Sequence, residues 1–251
     1  MGDRTLDAAE GAAQGDSVSA VDTSSFGARP REGTHAVPPL PTWIALSCCA
    51  AVLGFLGLIV VAHEVLDKPL LVFIVEPASI GTNIWYAGVL STTGGLLWWT
   101  AASVSYVTAW ISRVTRVGSA GLWLGLAVLT TVLAMDDLYQ GHEIFYRVYL
   151  HLPEEVSGAI YAVVAVTLAI VYRSYLRTLP WRIAVVALVF FSVSEALDFL
   201  YPQGDTEYEL LLEDGTKFAG IAAWALFVVW GSQAVLLHGT RRRDDGSLET
   251  A

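Results

Sequence analysis

The stretch TWIALSCCAAVLGFLGLIVVAHEV, residues 42–65, decides the class of this protein. It holds no charged side chain from Thr42 to Ala62. A hydrocarbon layer of roughly 30 Å is crossed by about 20 helical residues. The apolar positions are continuous, which excludes the alternating pattern of a membrane-barrel strand. Backbone groups in lipid must pair within their own segment, so a run of this length is predicted to be a helix.

Outward from this run, similar segments recur. They cover about Ile80 to Ile111, Gly118 to Met135, Val156 to Leu176, Pro180 to Tyr201 and Thr216 to Leu237. Pro180 suits a first helical turn. The expected fold is all-α: a polytopic transmembrane helix bundle of about six spans over residues 42–238. Composition agrees, with 55% hydrophobic and 15% charged residues, against about 25% charged in a typical soluble domain. Gly88, Gly94 and Gly95 mark a small-residue face on the second span, where helices can approach closely. Ser91, on that face, reads more simply as packing than as a nucleophile.

Residues 1–41 differ in character. They are rich in Gly, Ala, Ser, Asp and Thr and end in Pro38, Pro39 and Pro41. Such a segment buries too little apolar surface to offset its ordering entropy. It is expected to be a disordered cytoplasmic tail, not a signal peptide, since no apolar core lies near Met1. Residues 239–251 are expected to form a second cytoplasmic tail. Cys48 and Cys49 are adjacent on the first helix and point in different directions, which disfavours an intrachain disulfide.

Basic residues set the orientation. With six spans, one side holds 11 arginines: Arg4, Arg29, Arg31, Arg113, Arg116, Arg173, Arg177, Arg182, Arg241, Arg242 and Arg243. The other side holds Lys68, Arg147 and Lys217. The arginine side is therefore expected to be cytoplasmic, with both termini inside a cell (inner) membrane. The lipid bilayer is the expected partner. A net charge of −10 argues against nucleic acid.

Acids gather on the opposite side. Glu195 and Asp198 share a helical face near the end of the fifth span, three residues apart. An ionised Glu195 inside an apolar span must be protonated, paired or bound to a cation. The third span ends in Asp136 and Asp137, followed by His142 and Glu143. The sixth begins at Glu213, Asp214 and Lys217, with Asp214 read as its N-cap. Lys217 is the natural counter-ion for buried acids.

The candidate metal ligands are thus Asp136, Asp137, His142, Glu143, Glu195, Asp198, Glu213 and Asp214. An oxygen-rich set with one histidine suits a divalent metal without selecting one. Glu195, Asp198, Asp137 and Lys217 are the candidate catalytic residues. The leading expectation is a metal-dependent hydrolase of a lipid-like substrate, whose metal activates water. A cation or proton transporter is the alternative, because intramembrane acids mark such routes. A non-catalytic membrane scaffold, with each acid solvated or paired separately, is the third.

Overall fold

A computed structural model of the chain describes residues 37–75, 84–139, 149, 151, 154–201 and 206–248. The described residues form helices and turns, with no strand among them. The helices are α1 (Thr42–Leu66), α2 (Leu71–Ile74), α3 (Val89–Thr115), α4 (Ala120–Tyr139), α5 (Glu154–Val171), α6 (Arg173–Leu176), α7 (Trp181–Leu200) and α8 (Glu207–Leu248).

Four helices are long and apolar enough to cross a membrane: α1, α4, α7 and the Glu207–Leu237 part of α8. α5 adds a shorter apolar stretch, Val156–Val171. α3 has the length, at 27 residues, but its Ser, Thr and Gly content dilutes its hydropathy. The outer faces of the bundle are apolar, with Leu46, Leu53 and Leu58 of α1, Val163 and Ile170 of α5, and Val185 and Val189 of α7 all exposed. Apolar surface on this scale is uncommon in soluble monomers, and it is consistent with a membrane protein.

The six long helices alternate in direction, and contacts at the two ends show it. At one end Val37 N–H donates to the Thr178 carbonyl at 3.2 Å, and Trp230 Nε1 donates to the Pro38 carbonyl at 2.9 Å. Gly118, between α3 and α4, lies against Tyr175 and Val235. Arg113, Arg116, Arg173, Arg177 and Arg182 belong to this arginine-rich end. At the opposite, acidic end, Leu70 N–H donates to Glu207 Oε2 at 2.6 Å. There Gly88 N–H reaches the Val72 carbonyl at 2.8 Å, and Ser194 Oγ donates to the Glu213 carbonyl at 3.2 Å.

The core lies among α3, α4, α7 and α8. Trp98, Leu122, Trp123, Leu126, Trp224, Phe227 and Val228 are its large members. A second cluster joins α1, α2, α3 and α8 through Ile59, Phe73, Ile74, Leu90 and Phe218. Lipid tails are as apolar as leucine, so helices in a membrane associate through close packing and interhelical polar contacts. Both devices are present. A side chain at Gly220 would stand 2.7 Å from Phe191 Cε1 and 3.3 Å from the Ala187 carbonyl oxygen, so the α7–α8 crossing needs glycine there. Trp224 Nε1 donates to Thr130 Oγ1 at 3.0 Å, tying α8 to α4.

Several boundaries differ from the sequence reading. α8 begins at Glu207, not near Thr216, so Asp214 lies inside the helix and is not its N-cap. The start is a capping box instead: Glu209 N–H donates to Thr206 Oγ1 at 3.3 Å, and Thr206 N–H donates to Glu209 Oε2 at 3.1 Å. α8 also runs to Leu248, through most of the segment expected to be a disordered tail. Val37–Pro41, assigned to the other tail, is held by the two hydrogen bonds at the arginine-rich end. The rest of that tail lies outside the described residues. Gly88 precedes α3 with φ +62° and serves a turn, not a packing face.

Gly220→Ala is expected to destabilise the bundle by about 1–3 kcal/mol through overpacking. Gly54→Ala, where nothing lies within 4 Å of the added carbon, should not. Thermal midpoints in detergent compare the two, and equal midpoints would show that α7 is free to move away from α8.

Candidate functional site

The acidic end is built from the ends of five helices. α4 carries Asp136 and Asp137 through its last turn, since the helix continues past the apolar run to Tyr139. α8 brings Glu213, Asp214 and Lys217 two turns and more beyond its capping box. α3 contributes Ser91 and Gly94, α2 contributes Ile74, and α7 contributes Ser194, Glu195 and Asp198.

The central contact is an ion pair. Lys217 Nζ lies 2.6 Å from Asp137 Oδ1, with the carboxylate side chain 11% exposed and the lysine 34%. The pair sits in a small cleft lined by Ile74, Leu90, Ser91, Gly94, Asp137, Asp214, Lys217, Phe218 and Ile221. The cleft volume is about 20 Å³, room for a single water molecule. Its apolar wall lowers the local dielectric and strengthens the pair relative to an exposed one. Lysine reaches the cleft because Gly94 lets α8 close on α3: a side chain there would meet Ile221 at 3.3 Å.

Further carboxylates surround this pair. Asp214, Asp198, Lys217 and Glu195 are all near enough to act electrostatically on the Glu213 carboxylate. Asp137 and Asp214 thus share the cleft with Lys217, and Glu213 lies within electrostatic reach of Lys217, Asp214, Asp198 and Glu195. Like charges gathered in this way repel one another, and an acidic mouth concentrates cations. Asp136, one residue from the pair, is itself buried at 8% exposure.

The sequence-derived set is brought together in part. Asp137 and Lys217 meet directly, and Asp214 lines the same cleft. Glu195 and Asp198 lie on exposed surface of α7. The residue of α7 that turns inward at this level is Ser194, buried and bonded to the Glu213 carbonyl. A helix face is chosen by rotation about the axis, and this rotation places Glu195 at the side of the cluster instead of its centre. His142 and Glu143 lie outside the described residues. Among the described residues no group of three or more His, Cys, Asp or Glu side chains is arranged to hold a metal ion. At Asp137 the neighbouring positive charge is the Lys217 ammonium.

Two features were missed from the sequence. Ser91 was assigned to packing, and it lines the cleft. Glu207 reads from the sequence as one more acid of the loop before the sixth span, and its carboxylate holds the Leu70 amide at the entry to α2. The Thr206-x-x-Glu209 spacing ahead of Leu210-Leu211-Leu212 was the available signal for the earlier helix start.

Lys217→Met should destabilise the protein by about 2 kcal/mol, between the value for exposed pairs and that for a broken buried pair. Asp137→Asn combined with Lys217→Met should recover part of the loss, because neither partner is then left alone. A double-mutant cycle on thermal unfolding is expected to give a coupling of about 1–3 kcal/mol, and additive losses would mean that the pair does not form in solution.

No curated protein and no solved structure matches this chain. Residues 41–230 match a family model across α1 to α7 and most of α8. The chain belongs to the family described as Domain of unknown function (DUF8692).

Proposed function

We propose that this chain is a multi-pass inner-membrane protein with six spans and both termini cytoplasmic, and that its outer, acidic end is a cation-responsive site centred on Asp137 and Lys217. The reading belongs to the transport class: a proton or small monovalent cation is taken up by the carboxylates around Lys217. The observation that carries it is the 2.6 Å ion pair set in a cleft with Asp214, beside Glu213 and the acids of α7. The carboxylates of α7 and α8 beside the pair build up mutual repulsion. A mobile positive charge relieves it. When that charge arrives, competition for Asp137 weakens its hold on Lys217, which links occupancy of the site to the α4–α8 contact.

The orientation is supported by the separation of arginines and acids to opposite ends of the bundle. Trp43, Trp85, Trp110 and Trp181, all exposed near helix ends, fit interfacial positions. α3 and α5 complete the six crossings, α3 with Ser105, Thr108 and Ser112 buried within the bundle. The hydrolase reading with a divalent metal is less well supported, since Lys217 occupies the position of the charge that a metal would supply at Asp137.

Orientation is tested with single cysteines in a Cys48→Ala, Cys49→Ala background. In right-side-out vesicles a membrane-impermeant maleimide should label Lys68→Cys and leave Arg177→Cys unlabelled until lysis. The reverse pattern would overturn the proposed sidedness.

The site is tested by titrating purified protein with acid, Na⁺, K⁺, Mg²⁺ and Zn²⁺ while following tryptophan fluorescence. A saturable response to acid or a monovalent cation, lost in Asp137→Asn and weakened in Asp214→Asn, is expected. An unchanged response in both variants would sink the site. Tight binding of a divalent ion that depends on Asp137 would shift the assignment to the hydrolase.

A further inference from the structure

We infer that the buried face of α3 carries a file of internal water molecules, and that this file is the proton route from the Asp137–Lys217 cleft to the arginine-rich end. The inference rests on the transport reading above and extends it to the path. Three polar atoms on this face, Trp98 Nε1, Ser105 Oγ and Ser112 Oγ, are buried without a hydrogen-bond partner among the described residues. Their residues are 4%, 0% and 3% exposed. They are spaced by seven residues, and one heptad further back is Ser91, which lines the cleft. Each heptad advances about 10.5 Å along a helix, so Ser91 to Ser112 covers about 31 Å. That is the thickness of the hydrocarbon layer.

The contrast with the threonines of the same helix is informative. Thr93, Thr100, Thr108 and Thr115 each donate to the carbonyl four residues back at 2.7–2.8 Å. They satisfy themselves. Ser105 and Ser112 do not, although the same carbonyl geometry surrounds them. Buried polar groups are nearly always paired with protein or with ordered water, and water is the partner that fits a polar site between helices. The neighbouring positions Ala101, Ala102 and Ala109 are small and buried.

The chemistry of a relay follows from donor and acceptor capacity. A serine hydroxyl donates one proton and accepts at its lone pairs, so it can pass a proton between two waters. The Trp98 indole N–H only donates. It anchors a water and orients it, without carrying the proton itself. The proton enters from the acids at the cleft, moves along waters and hydroxyls, and leaves to water near Arg113 and Arg116. Each hop breaks one O–H bond and forms another, so charge and atoms balance. No buried acid is required in the arginine-end half of the route.

The test uses the full chain in proteoliposomes with an internal pH dye and an imposed pH gradient. Wild type is expected to dissipate the gradient. The double variant Ser105→Val, Ser112→Val should fall to the protein-free background, while Ser103→Ala, on the exposed side of the same helix, should match wild type. Flux unchanged in the double variant overturns the route and leaves the cleft untouched. Absence of flux in wild type, beside an Asp137-dependent titration, also overturns the route alone. Because the double variant can fail to fold, hydroxyl-radical labelling of the wild-type protein is the second measurement. Labelling of buried Trp98 beside exposed Trp110 supports the internal water, and a protected Trp98 overturns it.

Discussion

Close packing of α8 on three neighbours is the constraint from which the rest of this molecule follows. Gly220 admits Phe191 of α7, Gly94 of α3 admits Ile221, and Gly231 lies against Trp123 of α4. In lipid there is little hydrophobic gain from pressing apolar helices together, so such approaches hold the bundle by dispersion and shape. They also fix the rotation of α8 about its axis. That rotation turns Lys217 toward α4 and α3, and turns Trp224 toward Thr130. The ion pair is a consequence of the crossing as much as a cause of it.

The electrostatics of the acidic end then acquire a single organising charge. Acids spread over three helices would each be solvated at an open membrane surface. Here Asp137 and Asp214 share a cleft with one lysine, and Glu195 and Asp198 stay on the exposed face of α7. A charge removed from water needs a partner with good geometry, and Asp137 has Lys217 at 2.6 Å. The opposite end has no comparable cluster among its described residues. It is built from arginines, tyrosines and the Val37–Pro41 strap. The bundle is thus polar at its ends for different reasons, with α3 providing a polar seam between them.

Both members of the ion pair were legible as candidates in the sequence. Lys217 could be named as the counter-ion because only three basic residues share its side of the chain. Asp137 and Asp214 could be named because they adjoin apolar runs, where a charge cannot be left unbalanced. The facing of Glu195 was not legible in the sequence. Its depth along α7 can be counted from the sequence, but whether it or Ser194 turns inward depends on where α8 presses, and the two neighbours differ by about 100° around the axis. The start of α8 was misplaced because the capping box at Thr206 and Glu209 precedes a charged segment that looked like a loop.

By itself the sequence determined that the chain is helical and built from apolar segments, and that its arginines and acids fall on opposite sides of successive segments. Those properties follow from hydrocarbon thickness and backbone pairing, which act on each segment alone. Only the tertiary structure decided which acid meets the lysine, that Ser91 lines the same cleft, and that Trp98, Ser105 and Ser112 face inward together. Those properties depend on the axial rotation of each helix, and rotation is set by the side chains of its neighbours.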